Sequence, residues 1–445
     1  MAMKRELRDH QATGASWLTS RPRAYLADDA GLGKTLTLLA EAKVQGAQDI
    51  LVVAPAAIRD MRIWPDELDE SGLDLDLEVV SYHGLAKVPA DRCPDVVIFD
   101  EAHKLKDRKT TWFKPAVALA DRSGLVRMAS GTPIPNIPTE LWAPLHILRP
   151  DLPSYWNWVR QWFNVIPTKW SAYGVDGTLL GCTTECNPRD CEHWAAFHNA
   201  NLEGWMLRRP REAVLRDLPP MDGHDHPVRV PMTPAQRRLY KQLKKDFYAT
   251  IRDADSELTI EALTHSEQFI RLWQLSTGVG SAAPEDDPEA KHSGKLAAVE
   301  ELLLGRSRPT IVACYFRNTF DQLAALCDRL GVRWAGIGGS TPSKVRAETV
   351  RSFQAGDLDV LIASVSVIGE GVTLTAADEL ILVERPWVPA AMEQVIRRIH
   401  RIGQSRPVTV RQLVSEGTVD EVQWGVLWAK DAAARRALLR TLASD

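Results

Sequence analysis

Short apolar runs rich in β-branched residues recur along this chain, and segments with helical spacing separate them. In the first part of the chain the runs occupy residues 24–27, 50–54, 79–82, 96–99 and 125–129. Runs that are apolar at nearly every position are typical of strands buried on both faces of a parallel sheet. The same pattern resumes at residues 310–314, 332–335, 360–363, 380–383 and 408–413. This alternation predicts an α/β fold with two parallel sheets.

The interval between the two series, residues 138–308, is long enough to hold insertions and a linker. Within it, residues 233–252 carry apolar side chains at four-residue spacing, which predicts an amphipathic helix. We expect five segments: a first lobe at 1–150, an insertion and lobe junction at 151–225, a helical insertion at 226–295, a second lobe at 296–418 and a C-terminal helical brace at 419–445.

A glycine-bearing turn, ADDAGLGKT, follows the first apolar run and leads into a helical segment. A strand, such a turn and a helix N-terminus form a cradle in which backbone N–H groups converge on phosphate. Gly31 and Gly33 supply backbone freedom, Lys34 is the expected phosphate ligand, and the Thr35 hydroxyl is the expected magnesium ligand. The strict pattern has glycine where this chain has Asp28. On this motif alone, a glycine-rich helix start without a ligand stays an alternative.

The fourth apolar run delivers two adjacent carboxylates, Asp100 and Glu101, at its C-terminal end. Such a pair is costly after a buried strand unless a charged group lies beside it. A magnesium ion, bound through its coordinated water, accounts for Asp100, and Glu101 then acts as the general base that polarises an attacking water. The alternative is an exposed acidic turn. The phosphate loop earlier in the same alternation favours the magnesium interpretation.

Composition narrows the class of protein. The 445 residues are 45% hydrophobic and 25% charged, which is ordinary for a globular protein of two or three domains. The formal net charge of −4 means that nucleic-acid binding has to come from local basic patches. No stretch has the pattern of a signal peptide or a membrane span, and the six cysteines lack regular spacing. We therefore expect a cytoplasmic protein with no membrane partner.

Cys182, Cys186, Cys191 and His193 form a cluster with the spacing C-x3-C-x4-C-x-H in a tryptophan-rich region. Four such side chains are enough for a tetrahedral zinc site. The spacing fits no common zinc module, and buried or surface thiols are the alternative. Both interpretations stay open.

Taken together, the motifs ADDAGLGKT, FDEAH and SGTPIPN resemble motifs I, II and III of superfamily-two helicases and, more narrowly, those of the Swi/Snf-type ATPases. The resemblance implies two RecA-like lobes in tandem with helical insertions, and ATP and Mg²⁺ as cofactors. Gln11 matches the adenine-recognition glutamine of the family. Asp28 falls where the family commonly has aspartate, and Gly31, Leu32 and Gly33 complete the expected nucleotide loop.

In the second lobe, EQVIRRIHRIGQ resembles motif VI of the same family. Gln394 falls on its leading glutamine, and Arg398 and Arg401 fall on its two arginines. The role that this implies for the arginines is to stabilise charge on the γ-phosphate in the transition state. Gly369 and Gly371 match motif V, which in the family couples DNA contact to the nucleotide site.

Two further features refine the resemblance. Ile368 replaces the first glycine of the usual motif V pair, which most resembles the annealing-helicase (HARP-type) branch, and motif I begins at residue 27, as in a compact phage or bacterial motor. The segment MLRRPREAVL resembles the junction that closes the first lobe. By resemblance, Arg208 and Arg209 are candidates for contacting phosphate or bracing the lobes; their position alone would make them solvated charges.

The function implied by the resemblance is a DNA-dependent ATPase that translocates on or remodels duplex or forked DNA through backbone contacts, as a monomer. Two alternatives stay open: a strand-separating DNA or RNA helicase, and a DNA-binding scaffold that binds ATP without hydrolysing it. Basic side chains on the 233–252 helix either form a solvated face or track the DNA backbone. The sequence does not identify protein partners.

Overall fold

The computed structural model describes residues 4–168, 171–182, 191–215, 218–253, 260–278, 293–368, 374–387, 389–401 and 403–425. These residues fall into two compact units that divide between Asp217 and Leu218, here called the first and second lobes. Across the ranges just given, no helix combines the length and apolarity needed to cross a membrane.

The first lobe is built on one parallel sheet. The described residues of this lobe contain the strands β1 Arg23–Leu26, β2 Asp49–Ala54, β3 Asp76–Ser81, β4 Val96–Asp100, β5 Leu125–Ala129, β6 Phe163–Thr168, β7 Ser171–Leu179 and β8 Met206–Leu207. Six of them form the sheet in the spatial order β3-β2-β4-β5-β1-β8, and β6 and β7 pair separately as an antiparallel hairpin. Strands β4, β5 and β1 are neighbours, so their carboxyl ends lie side by side at one edge of the sheet.

Helices cover both faces of this sheet. They are α1 Asp9–Thr19, α2 Lys34–Val44, α3 Ala56–Asp60, α4 Ile63–Ser71, α5 Phe113–Asp121, α6 Trp142–Leu148, α7 Tyr155–Trp162, α8 Glu192–Asn201 and α9 Arg211–Val214, with 3-10 helices at Tyr82–Lys87, Ala102–Lys106 and Pro138–Leu141. Alternate strand residues enter two different cores: Ile50 and Val52 pack on one face, Leu51 and Val53 on the other. This two-sided burial is why the strands are apolar throughout.

A buried ion pair connects the sheet to the helix that follows the phosphate loop. Arg127 of β5 donates to both carboxylate oxygens of Glu41 in α2, at 3.0 and 2.7 Å, and both side chains are fully buried. Two buried charges in contact satisfy one another, whereas either alone would be strongly unfavourable. The pair therefore holds α2 in one position relative to β5.

The second lobe has a parallel sheet of its own. Its strands are β9 Met221–Asp222, β10 Pro227–Val230, β11 Thr310–Cys314, β12 Trp334–Ile337, β13 Val360–Ser364, β14 Glu379–Leu382 and β15 Val408–Ser415, in the spatial order β10-β15-β14-β11-β13-β12 with β9 also on β15. Its helices are α10 Pro234–Asp253, α11 Ile260–Thr277, α12 Gly294–Leu304, α13 Arg317–Leu330, α14 Ser343–Ala355, α15 Val365–Ile368 and α16 Pro389–Ile399, and residues 419–425 are also helical.

The expected fold class, two α/β lobes on parallel sheets with helical insertions, is confirmed. The amphipathic helix expected at 233–252 is α10, and the strand expected at 332–335 is β12, which begins and ends two residues later. Strand β8 was not expected. It pairs with β1, so the segment assigned to an insertion and junction at 151–225 contributes a strand to the first sheet. The five-segment division stays a prediction, and most of its last segment, 419–445, lies outside the described residues.

Candidate nucleotide site

The turn between β1 and α2 has the backbone shape expected of a phosphate loop. Gly31 and Gly33 have φ of +88° and +74°, in the left-handed region that side chains disfavour. Gly33 caps α2, and a Cβ at this position would overlap the amide nitrogen of Gln11. The backbone conformation therefore favours glycine at position 33, and a Cβ there would also displace the Gln11 amide.

Lys34 is the first residue of α2, and its side chain folds back across the turn. Its ammonium donates to the carbonyl oxygens of Asp28 and Asp29, at 2.9 and 3.2 Å. Burial lowers the pKa of Lys34, while the negative charges of Glu101, Asp28, Asp100 and Asp29 act against that shift. Thr35, the next residue of the helix, is half-buried.

The carboxylate of Asp28 pairs with an arginine from a distant part of the chain. Its Oδ1 accepts from the backbone N–H and from the Nε–H of Arg209, both at 3.0 Å, and its Oδ2 accepts from Nη2. Asp28 and Arg209 are both buried. A bidentate pair of this kind fixes the direction of both side chains. The structure thus places the Asp28 carboxylate on Arg209.

The next residue, Asp29, is also held by this distant segment, through Arg208 and Arg211. Arg208 lies 3.0 Å from Oδ1 of Asp29, and the backbone N–H of Arg211 donates to Oδ2 at 3.1 Å. Arg208 also donates to the carbonyl oxygens of Ala27 and Gly131. The segment 208–211 therefore binds the start of the phosphate loop through ion pairs and hydrogen bonds. The interpretation of Arg208 and Arg209 as solvated charges is wrong, because both side chains are paired with carboxylates of the loop.

Gln11 lies on α1, directly against the phosphate loop. Its amide nitrogen is 3.3 Å from the carbonyl oxygen of Gly33 and 3.5 Å from that of Leu32, and its carbonyl accepts from the backbone N–H of Arg8. His10 also bonds the carbonyl oxygen of Leu32, at 2.9 Å. The sequence placed Gln11 at the nucleotide by resemblance alone, and the structure places its side chain at the loop.

Asp100 ends β4 and is held by an aromatic side chain. Trp64 Nε1 donates to its Oδ2 at 2.8 Å, and the backbone N–H of Glu101 donates to its Oδ1 at 2.8 Å. Burial first, and then the adjacent charge of Glu101, raise the pKa of Asp100 well above its usual range. The sequence did not single out Trp64, since nothing in its local pattern marks a contact with a residue 36 positions away.

Glu101 follows with a left-handed backbone, φ +48°, which is rare outside glycine. Its Oε2 lies 3.3 Å from Ser130 Oγ and 3.2 Å from His103 Nδ1, and that nitrogen is 2.9 Å from Ser130 Oγ. Ser130 is fully buried and its Oγ also accepts from the backbone N–H of Thr132. A serine after β5 thus connects FDEAH to SGTPIPN. The sequence had marked both motifs but not this bond between them.

The donor set fits a magnesium-bound nucleoside triphosphate. Two adjacent carboxylates, Asp100 and Glu101, place negative charge at the end of β4, which a divalent cation would balance. Carboxylate and hydroxyl oxygens are ligands that Mg²⁺ accepts. Asp100 and Thr35 would hold the metal, and the glycine turn with Lys34 would hold phosphate.

The motif VI residues belong to the second lobe. Gln394 and Arg398 lie on α16, and Arg401 follows its end; all three are half-buried. Of the neighbouring cations, Arg397 is buried and paired with Glu393, and Arg406 bonds Asp378 at 2.8 Å.

Some residues that the sequence predicted for the site lie outside the part of the chain that the structure describes. Gly369 and Gly371 of motif V, and Cys186 of the Cys/His cluster, lie outside the described residues. The three other members of the cluster are close together, with donor atoms all within 4.8 Å of one another. The roles of the predicted site residues therefore stay predictions, now with known positions for most of them.

Comparisons with known proteins agree with the family that the sequence motifs indicate. A SNF2-related domain matches residues 89–274, and a helicase conserved C-terminal domain matches residues 294–403. A SWI/SNF-related matrix-associated actin-dependent regulator of chromatin subfamily A-like protein 1 from Xenopus tropicalis is 25% identical over 94% of this chain and 44% of its own length. The DNA annealing helicase and endonuclease ZRANB3 of Mus musculus is 24% identical over 91% of this chain and 38% of its own length.

The chain thus spans less than half the length of these two relatives. Among solved structures, the Sulfolobus solfataricus SWI2/SNF2 ATPase core in complex with dsDNA aligns over 99% of this chain and 96% of its own, with 22% identity and a TM-score of 0.42. The two domain matches, in the order of the two lobes and containing FDEAH and most of motif VI, identify the chain as a member of the Swi/Snf-type ATPases of helicase superfamily two.

Proposed function

We propose that this chain is a DNA-dependent ATPase that translocates along duplex or forked DNA. One observation carries the proposal: three neighbouring strands, β1, β5 and β4, end at the same edge of the first sheet in the phosphate loop, Ser130 and the Asp100–Glu101 pair. In open parallel sheets, ligands bind at the carboxyl ends of the strands. The name of the mouse relative, a DNA annealing helicase, supports DNA as the partner.

The roles of the first-lobe residues follow from their chemistry. Lys34 exchanges its bonds to the Asp28 and Asp29 carbonyls for the outer phosphates, because phosphate oxygens carry full charge and carbonyls do not. Bound Mg²⁺ supplies charge neutralisation on the phosphates. Glu101 takes the proton of the attacking water, and its bonds to Ser130 and His103 hold the carboxylate in one orientation.

For the second lobe, we assign Arg398 and Arg401 to stabilising the negative charge that develops on the γ-phosphate. Guanidinium groups are permanently charged and planar, which suits phosphate oxygens. Loss of such an arginine commonly costs on the order of 10³-fold in rate. Arg398→Ala and Arg401→Ala are therefore expected to abolish most turnover while the chain still binds nucleotide.

DNA contact is assigned to the basic face of α10. Tyr240 of this helix is buried. The exposed cations of its basic face are Arg237, Arg238, Lys241, Lys244 and Lys245. Contacts of this kind with the phosphate backbone are independent of sequence and weaken with salt. The double substitution Lys241→Gln, Lys245→Gln should lower the stimulation of ATPase activity by DNA more than the matched removal of two exposed cations, Arg329→Gln and Arg333→Gln.

The deciding experiment measures ATP hydrolysis with and without single-stranded, duplex and forked DNA. We expect DNA to raise the rate, the increase to shrink with salt, and Glu101→Gln to lose most turnover while still binding ATP. Glu70→Gln, at an exposed position of the same lobe, is the control and should hydrolyse ATP as the unchanged chain does. A rate indifferent to every DNA would contradict the translocase proposal, and undiminished hydrolysis by Glu101→Gln would contradict the assigned base.

Strand-displacement and annealing assays on the best activator then separate the remaining alternatives. Displacement of a strand from partial duplex DNA or RNA identifies a strand-separating helicase. Annealing of complementary strands without displacement favours the annealing branch. Nucleotide binding with no turnover on any substrate would leave the ATP-switched scaffold.

A further inference from the structure

Three potential metal ligands converge in the first lobe. Cys182 follows β7, Cys191 precedes α8, and His193 lies in the first turn of that helix. The two sulfur atoms are 3.3 Å apart, and Cys191 Sγ is 3.7 Å from His193 Nδ1. Neither the nucleotide chemistry nor the DNA contacts proposed above use these side chains.

Backbone structure holds these positions. The N–H of Cys182 bonds the carbonyl oxygen of Leu179 at 3.0 Å, and the carbonyl oxygen of Cys191 accepts from Ala195 at 3.1 Å in the first turn of α8. Gly181 has φ of +77°, and a Cβ on it would press against the imidazole of His193. A glycine at this turn therefore leaves room for the ring beside the two sulfurs.

The donor spacing agrees with a shared metal ion. Zinc binds sulfur at about 2.3 Å, so two thiolates on one tetrahedral zinc are separated by about 3.8 Å. The two sulfurs, 3.3 Å apart, are nearer to that separation than to bonding distance, and Cys191 Sγ lies 3.7 Å from His193 Nδ1, so one ion could contact all three donors. A disulfide would need about 2.05 Å between the sulfurs. Two thiolates and one imidazole are a donor set that selects zinc over magnesium or calcium.

The surroundings are also those of a structural site. Cys191 is buried, and the aromatic side chains of Trp158, Phe163, Trp194 and Phe197 belong to the same core cluster. Cys182 follows the hairpin β6–β7, and Cys191 directly precedes α8. A metal ion here would fix the end of the hairpin to the start of the helix.

We propose that Cys182, Cys191 and His193 bind one zinc ion that stabilises the first lobe. Each thiol loses its proton on binding, and the imidazole binds through a neutral nitrogen. These three residues leave one tetrahedral position to another ligand. The site is independent of nucleotide and DNA, so its test does not depend on the proposed ATPase activity.

The first test is metal content after purification without chelator and thorough desalting, in the absence of nucleotide. We expect one zinc per chain in the unchanged protein and in Cys93→Ser, which removes an exposed cysteine of the same lobe. Cys191→Ser and His193→Ala should lose it, and should unfold at a lower temperature than Cys93→Ser.

Cobalt substitution provides a second measurement that does not depend on a variant. Co²⁺ bound at this site should show thiolate charge-transfer bands and the visible bands of a tetrahedral ion, and added zinc should displace it. If Cys191→Ser fails to fold, the same titration is made on His193→Ala, because His193 is exposed and its loss is better tolerated. This variant should not show the cobalt bands of the unchanged chain. No zinc after refolding with added metal, or a peptide map showing a Cys182–Cys191 disulfide, would overturn the proposal.

Discussion

Asp28 and Arg209 are 181 residues apart in the chain, yet they form a buried bidentate ion pair at the phosphate loop. The pair joins the start of the loop to the segment that follows β8. Arg209 also donates to the carbonyl oxygen of His10 on α1, the helix that carries Gln11. One guanidinium therefore connects three parts of the nucleotide site.

Arg209→Met should destabilise the first lobe, because it leaves the Asp28 carboxylate buried without a counter-charge. Breaking a buried pair from one side costs about 3–5 kcal/mol. Urea unfolding measures the loss. Arg5→Gln, which breaks an exposed pair with Glu67, is the control and should cost less than about 1 kcal/mol. Equal losses in the two variants would contradict the role given to the buried pair.

Gly33→Ala should impair nucleotide binding more than backbone strain alone predicts. Placing a side chain in the left-handed region costs about 1–2 kcal/mol, and here the new Cβ also meets the amide of Gln11. Gly46→Ala has the same φ of +74° and nothing near its Cβ, so it isolates the strain. Nucleotide titration checks the difference. If Gly33→Ala weakens binding by the same factor in a Gln11→Ala background as in the unchanged chain, the collision is not the cause.

Ser130→Ala should lower kcat and leave the KM for ATP nearly unchanged, because the Ser130 hydroxyl contacts Glu101 and His103 and so positions the assigned base. A misplaced base commonly costs about ten- to a hundredfold in rate. Steady-state kinetics with Ser130→Thr, which keeps the hydroxyl, should recover part of the rate. Ser123→Ala removes a hydroxyl bonded only to a helix carbonyl and is the control. A Ser130→Ala enzyme with unchanged kcat would rule out this role.

The stability of the second lobe should fall as pH rises through the titration of Glu384. Its carboxylate is fully buried and accepts from the N–H groups of Tyr315 and Phe316, at 2.7 and 2.8 Å. Burial raises the pKa of Glu384 above 4.5, and the hydrogen bond from Thr319, these two backbone bonds and the charge of Lys295 only partly oppose the shift. Above pH 4.5 the folded state therefore binds more protons at this group than the unfolded chain does, so the free energy of unfolding decreases with pH.

Urea unfolding, measured from pH 4.5 upward until Glu384 is ionised, tests the direction of this pH dependence. Glu384→Gln should remove the downward component of the curve, and Glu416→Gln, at an exposed glutamate, controls for loss of a carboxylate. A difference between the unchanged chain and Glu384→Gln that does not vary with pH would contradict the prediction.

Much of the fold and the chemistry of the site could be predicted from local pattern. The runs at 125–129 and 310–314 are strands β5 and β11 with the same bounds. The phosphate loop and the Asp100–Glu101 pair lie where parallel strands end, as the βα alternation requires. Strand β8 could not be predicted, because two residues, Met206 and Leu207, carry no usable periodicity and pair with β1 from far along the chain.

By itself the sequence determined where strands and helices form and which residue types can bind phosphate or move a proton, since these depend on spacing and side-chain chemistry within a few residues. Only the tertiary structure decided that Arg209 pairs with Asp28, that Trp64 holds Asp100, and that Ser130 joins Glu101 to His103. Such contacts arise when the sheet brings distant strand ends to one edge. Their partners are set by three-dimensional proximity, which no local pattern records.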